Sequence, residues 1–148
     1  MPGENRAIAV SLVEDNRAMR EVFTELLTRT AGLRCAGVYA SGEEAVMKMP
    51  KQTPDVALVD IHLPGINGIQ CVTLLKEQLP DLQVLMLTRY EQSDLVFESL
   101  RGQELRRHLE DELVEVRRHL APRLLGQGTR RRRDVCQAIL HESVDRTQ

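Results

Sequence analysis

The strongest constraint on this chain is an alternation. Four short apolar runs, at 7–13, 33–40, 56–60 and 82–87, are separated by stretches whose apolar residues recur at helical spacing. Runs of this length are too short for buried helices and read as strands. Val56-Ala57-Leu58-Val59 is apolar throughout rather than at every second position, so it belongs to a sheet covered on both faces. Strand–helix order repeated with short joints leaves parallel pairing through right-handed crossovers as the simplest solution, an α/β doubly wound sheet.

The helical stretches carry their own punctuation. From Ala18 to Thr30 the residues Met19, Val22, Phe23, Leu26 and Leu27 form an apolar stripe, with Asn16 placed to cap the start and Gly32 to stop the end. Ser41-Gly42-Glu43-Glu44 has the S-x-x-E spacing of a capping box and opens a second helix expected to reach about Met49, before Pro50. After the break at Pro64-Gly65, a third helix is expected from Gly68 to Gln78, with Ile69, Val72, Leu75 and Leu79 on one side and Pro80 as its stop.

The 148 residues suffice for one compact domain or a domain with an appendage. Hydrophobic residues make up 42% but aromatics only 3%, so the core must be aliphatic. Cys35, Cys71 and Cys136 are odd in number and widely spaced, which argues against a disulfide framework or a zinc site and for small buried apolar residues. No apolar run approaches the roughly 20 residues of a membrane span, and the start lacks the basic and apolar segments of a signal peptide. A soluble cytoplasmic protein is expected.

Polar clusters fall at three strand ends: Glu14-Asp15 after the first, Asp60 after the third, Thr88 after the fourth. In open parallel sheets, ligands bind beyond these carboxyl ends. Carboxylates set against buried strands repel one another and draw in a proton or a cation. Mg²⁺ suits them, because it takes oxygen ligands and bridges carboxylate to phosphate.

The blocks VSLVEDN at 10–16, PDVALVDIHLPGINGI at 54–69 and QVLMLTRYE at 83–91 resemble those of bacterial two-component response-regulator receiver domains, in particular the nitrate-regulator type. The resemblance covers about 7–100 and implies a flavodoxin-like sheet of order 2-1-3-4, with the fifth strand missing or displaced here. It implies a signalling module rather than an enzyme, in which Asp60 accepts a phosphoryl group from a sensor histidine kinase. Glu14 and Asp15, with Asp60 and the backbone carbonyl of His62, would hold Mg²⁺, and Thr88 would supply the switch hydroxyl. Tyr90 is a weaker candidate for a relay role.

Beyond residue 100 the pattern changes. Residues 1–100 hold nine basic and fourteen acidic side chains, against eleven and eight in 101–148. A receiver would continue with a fifth strand bearing a lysine, yet the only lysines are Lys48, Lys51 and Lys76. We therefore divide the chain into a receiver domain at 1–100, truncated before the fifth strand, and a helical, arginine-rich segment at 101–148. Leu105, Leu109, Leu113, Val116 and Leu120 form an apolar stripe. This helix is expected to run over 93–121 and to pair with a second copy in a homodimer. Another arrangement makes Arg123-Leu124-Leu125 a vestigial fifth strand and 132–144 a fifth helix, and a third makes the tail frame-shifted.

The run Arg130 to Arg133 suggests a phosphate-binding patch, but the net charge of −2 and the lack of interleaved aromatics argue against nucleic-acid binding. His62, His108, His119 and His141 have no metal-ligand spacing. Two rivals to phosphoryl relay remain: a phosphorylation-impaired dimerisation scaffold working through 93–121, and an aspartate-nucleophile phosphatase. The latter would want an acid two residues after Asp60, where His62 stands.

Overall fold

A computed structural model describes residues 6–87 together with Glu110, Asp111, Leu113, Val114 and Arg118. In chain order the elements are β1 (Ile8–Val13), α1 (Arg17–Arg29), β2 (Leu33–Tyr39), α2 (Gly42–Gln52), β3 (Val56–Asp60), α3 (Gly68–Gln78) and β4 (Gln83–Leu87). The four strands among the described residues form one parallel sheet in the order β2-β1-β3-β4.

The packing explains the continuous apolarity of the strands. Ile8, Val10, Leu12, Val56, Leu58, Leu85 and Leu87 pack with Met19, Phe23, Leu26 and Leu27 of α1 on one face. Val13, Ala57, Val59 and Val84 pack with Ala45 and Met49 of α2 and Cys71 and Leu75 of α3 on the other. The chain steps one way from β1 to β2 and the other way from β2 past β1 to β3 and β4. Crossovers of one hand then put α1 and the α2–α3 pair on opposite faces. The reversal leaves a switch point between β1 and β3.

Asn16 caps α1 through Oδ1, which accepts from the Met19 amide at 3.1 Å, and Gly32 follows the helix with φ of 82°. Ser41 caps α2 as expected, its Oγ accepting the Glu44 amide, but Glu44 Oε2 reaches past the cap to the Ala40 amide, both at 3.1 Å, so the box is not closed on Ser41 itself. At α3 the box is complete: Asn67 Oδ1 accepts the Gln70 amide at 2.9 Å and Gln70 Oε1 the Asn67 amide at 3.0 Å.

Two expectations need correction. Pro50 does not end α2, which runs through it to Gln52. A proline removes one donor from the helix ladder, and the carbonyl that would have received it, that of Val46, instead accepts Gln78 Nε2 from α3 at 3.3 Å. The helix stops at Thr53, whose left-handed φ of 44° turns the chain while its amide bonds Met49 O. On α3 the expected stripe holds at Leu75 but not at Ile69, which is 63% exposed, while Cys71 faces the sheet in its place. Val72 and Leu79 are partly buried against the same cluster.

Of the stretch expected to form a helix over 93–121, the five described residues are helical. Leu113 is 1% exposed and joins the cluster on the α1 face. This part of the apolar stripe is covered from within the chain itself. The rest of that stretch, Arg123-Leu124-Leu125, 132–144, Arg130–Arg133 and Cys136 lie outside the described residues.

Candidate functional site

The register brings the acids together. β1 and β3 are neighbours with Val13 opposite Val59, so the residues that follow, Glu14 and Asp60, leave adjacent strands at the same level. Main-chain bonds extend the ladder past the strand ends: the Glu14 amide donates to Tyr39 O at 3.0 Å and the Ile61 amide to Leu87 O at 3.1 Å. Glu14 and Asp60 are thereby buried, at 1% and 0% exposure, while Asp15 is exposed. Carboxylate oxygens of Glu14, Asp15 and Asp60 lie within 4.8 Å of one another. Three such groups, two out of bulk water, repel unless a cation or a proton offsets them. Their oxygen-only donor set fits a hard divalent cation such as Mg²⁺.

Each loop is fixed by bonds that the alternation of strands and helices does not reveal. In the β1–α1 loop, Glu14 Oε1 accepts the Asn16 amide at 3.1 Å. Arg20, one turn into α1, donates from Nη1 to the carbonyls of Glu14 at 3.0 Å and Asp15 at 2.7 Å. In the β3–α3 loop, the His62 amide donates to Asp60 Oδ1 at 2.9 Å. The start of α3 returns against this loop: the Gly68 amide bonds Ile61 O at 2.9 Å, and a Cβ at 68 would collide with Asp60 O. Only glycine lets the helix approach that closely.

The first turn of α2 meets the same loop. Glu43 Oε1 accepts the Ile66 amide at 2.8 Å. That bond holds the Glu43 carboxyl below its ordinary value of 4.5. Glu44 is lowered too, first by the hydrogen bond from the Lys48 side chain and then by the Ala40 amide. Cys71, by contrast, is a buried structural thiol: burial, with a smaller contribution from the Glu43 charge, pushes it up to about 11. Cys35 is only partly buried.

The structure thus brings Glu14, Asp15 and Asp60 into one cluster, with His62 next in the loop, its ring exposed. Thr88, Tyr90, His108, His119 and His141 lie outside the described residues. None of the three lysines serves the site. Lys48 pairs with Glu44 at 3.0 Å, Lys51 is exposed on the last turn of α2, and Lys76 Nζ is engaged by the carbonyls of Pro80 and Leu82 ahead of β4. Arg20 and Glu43 were missed by the sequence reading. Arg20 carried a weak signal, an arginine one turn after an acidic loop, whereas Glu43 carried none, since its partner is 23 residues away.

A family model described as the response regulator receiver domain matches residues 10–109. The DNA-binding transcriptional activator DevR/DosR of Mycobacterium tuberculosis is 33% identical over 116 residues, covering 70% of this chain and 54% of that protein. The response regulator protein VraR of Staphylococcus aureus is 31% identical over 93 residues, covering 63% of this chain and 44% of its own length. The chain therefore spans about half the length of these curated relatives. The response regulator domain of Thermotoga maritima CheB superposes with a TM-score of 0.62 at 27% identity, over 77% of this chain and 96% of that one. The receiver domain of a putative response regulator NarL from M. tuberculosis, at 20% identity and a TM-score of 0.58, shares the fold over 76% of this chain and 98% of its own.

Proposed function

Because this chain belongs to the response regulator receiver domain family, we propose that it is a phosphoacceptor module of a two-component system. Asp60 takes a phosphoryl group from the phosphohistidine of a sensor kinase and passes the signal on through altered protein contacts. The observation that carries this reading is the cluster of Glu14, Asp15 and Asp60 at the switch point of the sheet. In the transfer, a carboxylate oxygen of Asp60 bonds to phosphorus as the phosphorus–nitrogen bond of the donor breaks, and the imidazole leaves.

Glu14, Asp15, Asp60 and the backbone carbonyl of His62 would hold Mg²⁺, which neutralises charge on the phosphoryl oxygens. A complex of CheX and CheY from Borrelia burgdorferi, which shares this fold, was solved with BeF3 and magnesium. In this chain the His62 amide orients the Asp60 carboxylate, and Arg20 fixes the backbone beneath Glu14 and Asp15. Thr88 follows β4, whose last residue, Leu87, pairs with Asp60. It is the hydroxyl we assign to sensing the phosphoryl group. Phosphorylation adds about −1.5 to −2 charges, with no lysine after Lys76 to meet them.

Incubation with acetyl phosphate and Mg²⁺ should add one phosphoryl group by intact mass, and beryllofluoride should shift the amide resonances around Asp60. An inert wild-type chain, or an undiminished response in Asp60→Asn, would refute the assignment.

A further inference from the structure

The acceptor loop is held from a helix that contributes nothing to the acidic cluster. Ile66, near the end of the 61–67 loop, is gripped by two consecutive residues of α2. Its amide is taken by Glu43 Oε1 at 2.8 Å, and its side chain lies where a Cβ on Gly42 would stand, 2.7 Å from Ile66 Cγ1. The Glu43 carboxylate also fills the space above Gly65, where a Cβ would collide with Oε1, and the left-handed φ of 75° at Gly65 turns the chain beneath it. At its other end the loop is tied to Asp60 through the His62 amide. Between the two ties Leu63 is buried, so the segment has little freedom to move one end without the other.

We propose that the first turn of α2 is a latch for this loop and that Glu43 is a positioning residue for the acceptor, acting through Ile66 to keep the His62 amide on Asp60 Oδ1. Its consequence for metal binding rests on the phosphoacceptor reading above; the latch itself does not. Latch and metal site are coupled by linkage: whatever holds His62 in place favours cation binding there, and a bound cation in turn tightens the hold of Glu43 on Ile66.

The test compares the full chain with Glu43→Ala and Glu43→Gln. Glutamine keeps an oxygen that accepts from Ile66 but carries no charge, so it separates the hydrogen bond from the electrostatics. Without metal, Glu43→Ala should speed amide exchange at both Ile66 and His62 by about three- to tenfold, the range expected for one lost hydrogen bond. Glu43→Gln should stay near wild type, and the urea midpoint should barely move. With Mg²⁺, Glu43→Ala should weaken binding by about threefold or more and Glu43→Gln should restore it. Unchanged exchange at His62 in Glu43→Ala overturns the proposal, as does Glu43→Gln behaving like Glu43→Ala, or wild-type Mg²⁺ affinity in Glu43→Ala. A wild-type chain that binds no Mg²⁺, with His62 still loosened in Glu43→Ala, would remove the phosphoacceptor reading and leave the latch standing.

Discussion

Asp55 and Asp60 bracket a single strand, yet their surroundings are opposites. Asp55, just before β3, takes the Ala9 amide and Arg6 Nη1 on Oδ2 at 2.9 Å each and Arg6 Nη2 on Oδ1 at 3.1 Å, while its main chain bonds Ala9 and Gln83. Asp60, the last residue of β3, is fully buried in the company of two further acids. Donors converge on the first carboxylate, while the Asp55 main chain ties β1 and β4 to β3 at the amino edge of the sheet. Other carboxylates converge on the second, at the edge where the topology reverses. The same side chain thus meets a guanidinium at one end of the strand and, beside the His62 amide, like charge at the other.

The sharpest way to break this contrast is to exchange function between the two ends. Asp60→Asn should abolish phosphoryl incorporation from acetyl phosphate by intact mass, whereas Asp55→Asn should leave it intact; incorporation surviving in Asp60→Asn would make the contrast meaningless. Next in size is the core beneath them. Leu113→Ala should cost about 2–5 kcal/mol by urea denaturation, because Leu113 is buried with Leu12, Leu58 and Leu87. A cost near zero would detach the segment after residue 100 from the domain.

Stability should then respond with opposite signs. Asp55→Ala strands the Ala9 amide and should destabilise by about 1–3 kcal/mol. Asp60→Asn relieves repulsion and, without metal, should stabilise by about 1 kcal/mol; equal signs in urea melts would refute the comparison. The smallest effect is on acid. Glu43 and Glu44 are held below their ordinary 4.5, so their contribution is present above that pH and is lost as pH falls through the lower folded values. Between about pH 5 and pH 3 the wild type should lose more stability than a Glu43→Gln, Glu44→Gln chain.

Much of this was legible in the sequence because it depends on local rules. Strand ends, caps at Asn16 and Ser41, and acids at the carboxyl edge follow from periodicity and turn chemistry within a few residues. What was not legible depends on partners far along the chain. Pro50 reads as a stop because its lost donor is visible and the rescue of Val46 O by Gln78 is not. On α3 the stripe fails at Ile69, the more hydrophobic residue, because the approach of α3 to Asp60 at Gly68 turns Cys71 inward instead. Leu113 belongs to the expected apolar stripe, and residues of α1 and the sheet in the same cluster, far along the chain, bury it.

The contact of Gly68 with the Asp60 carbonyl also bears on inheritance. Position 68 adds no side chain to the acidic cluster, yet any side chain there would displace the backbone that carries Asp60. In a saturation library scored for function, glycine at 68 should be about as hard to replace as aspartate at 60. A lineage that abandoned phosphorylation while keeping its stability could relax the aspartate and still be bound to the glycine.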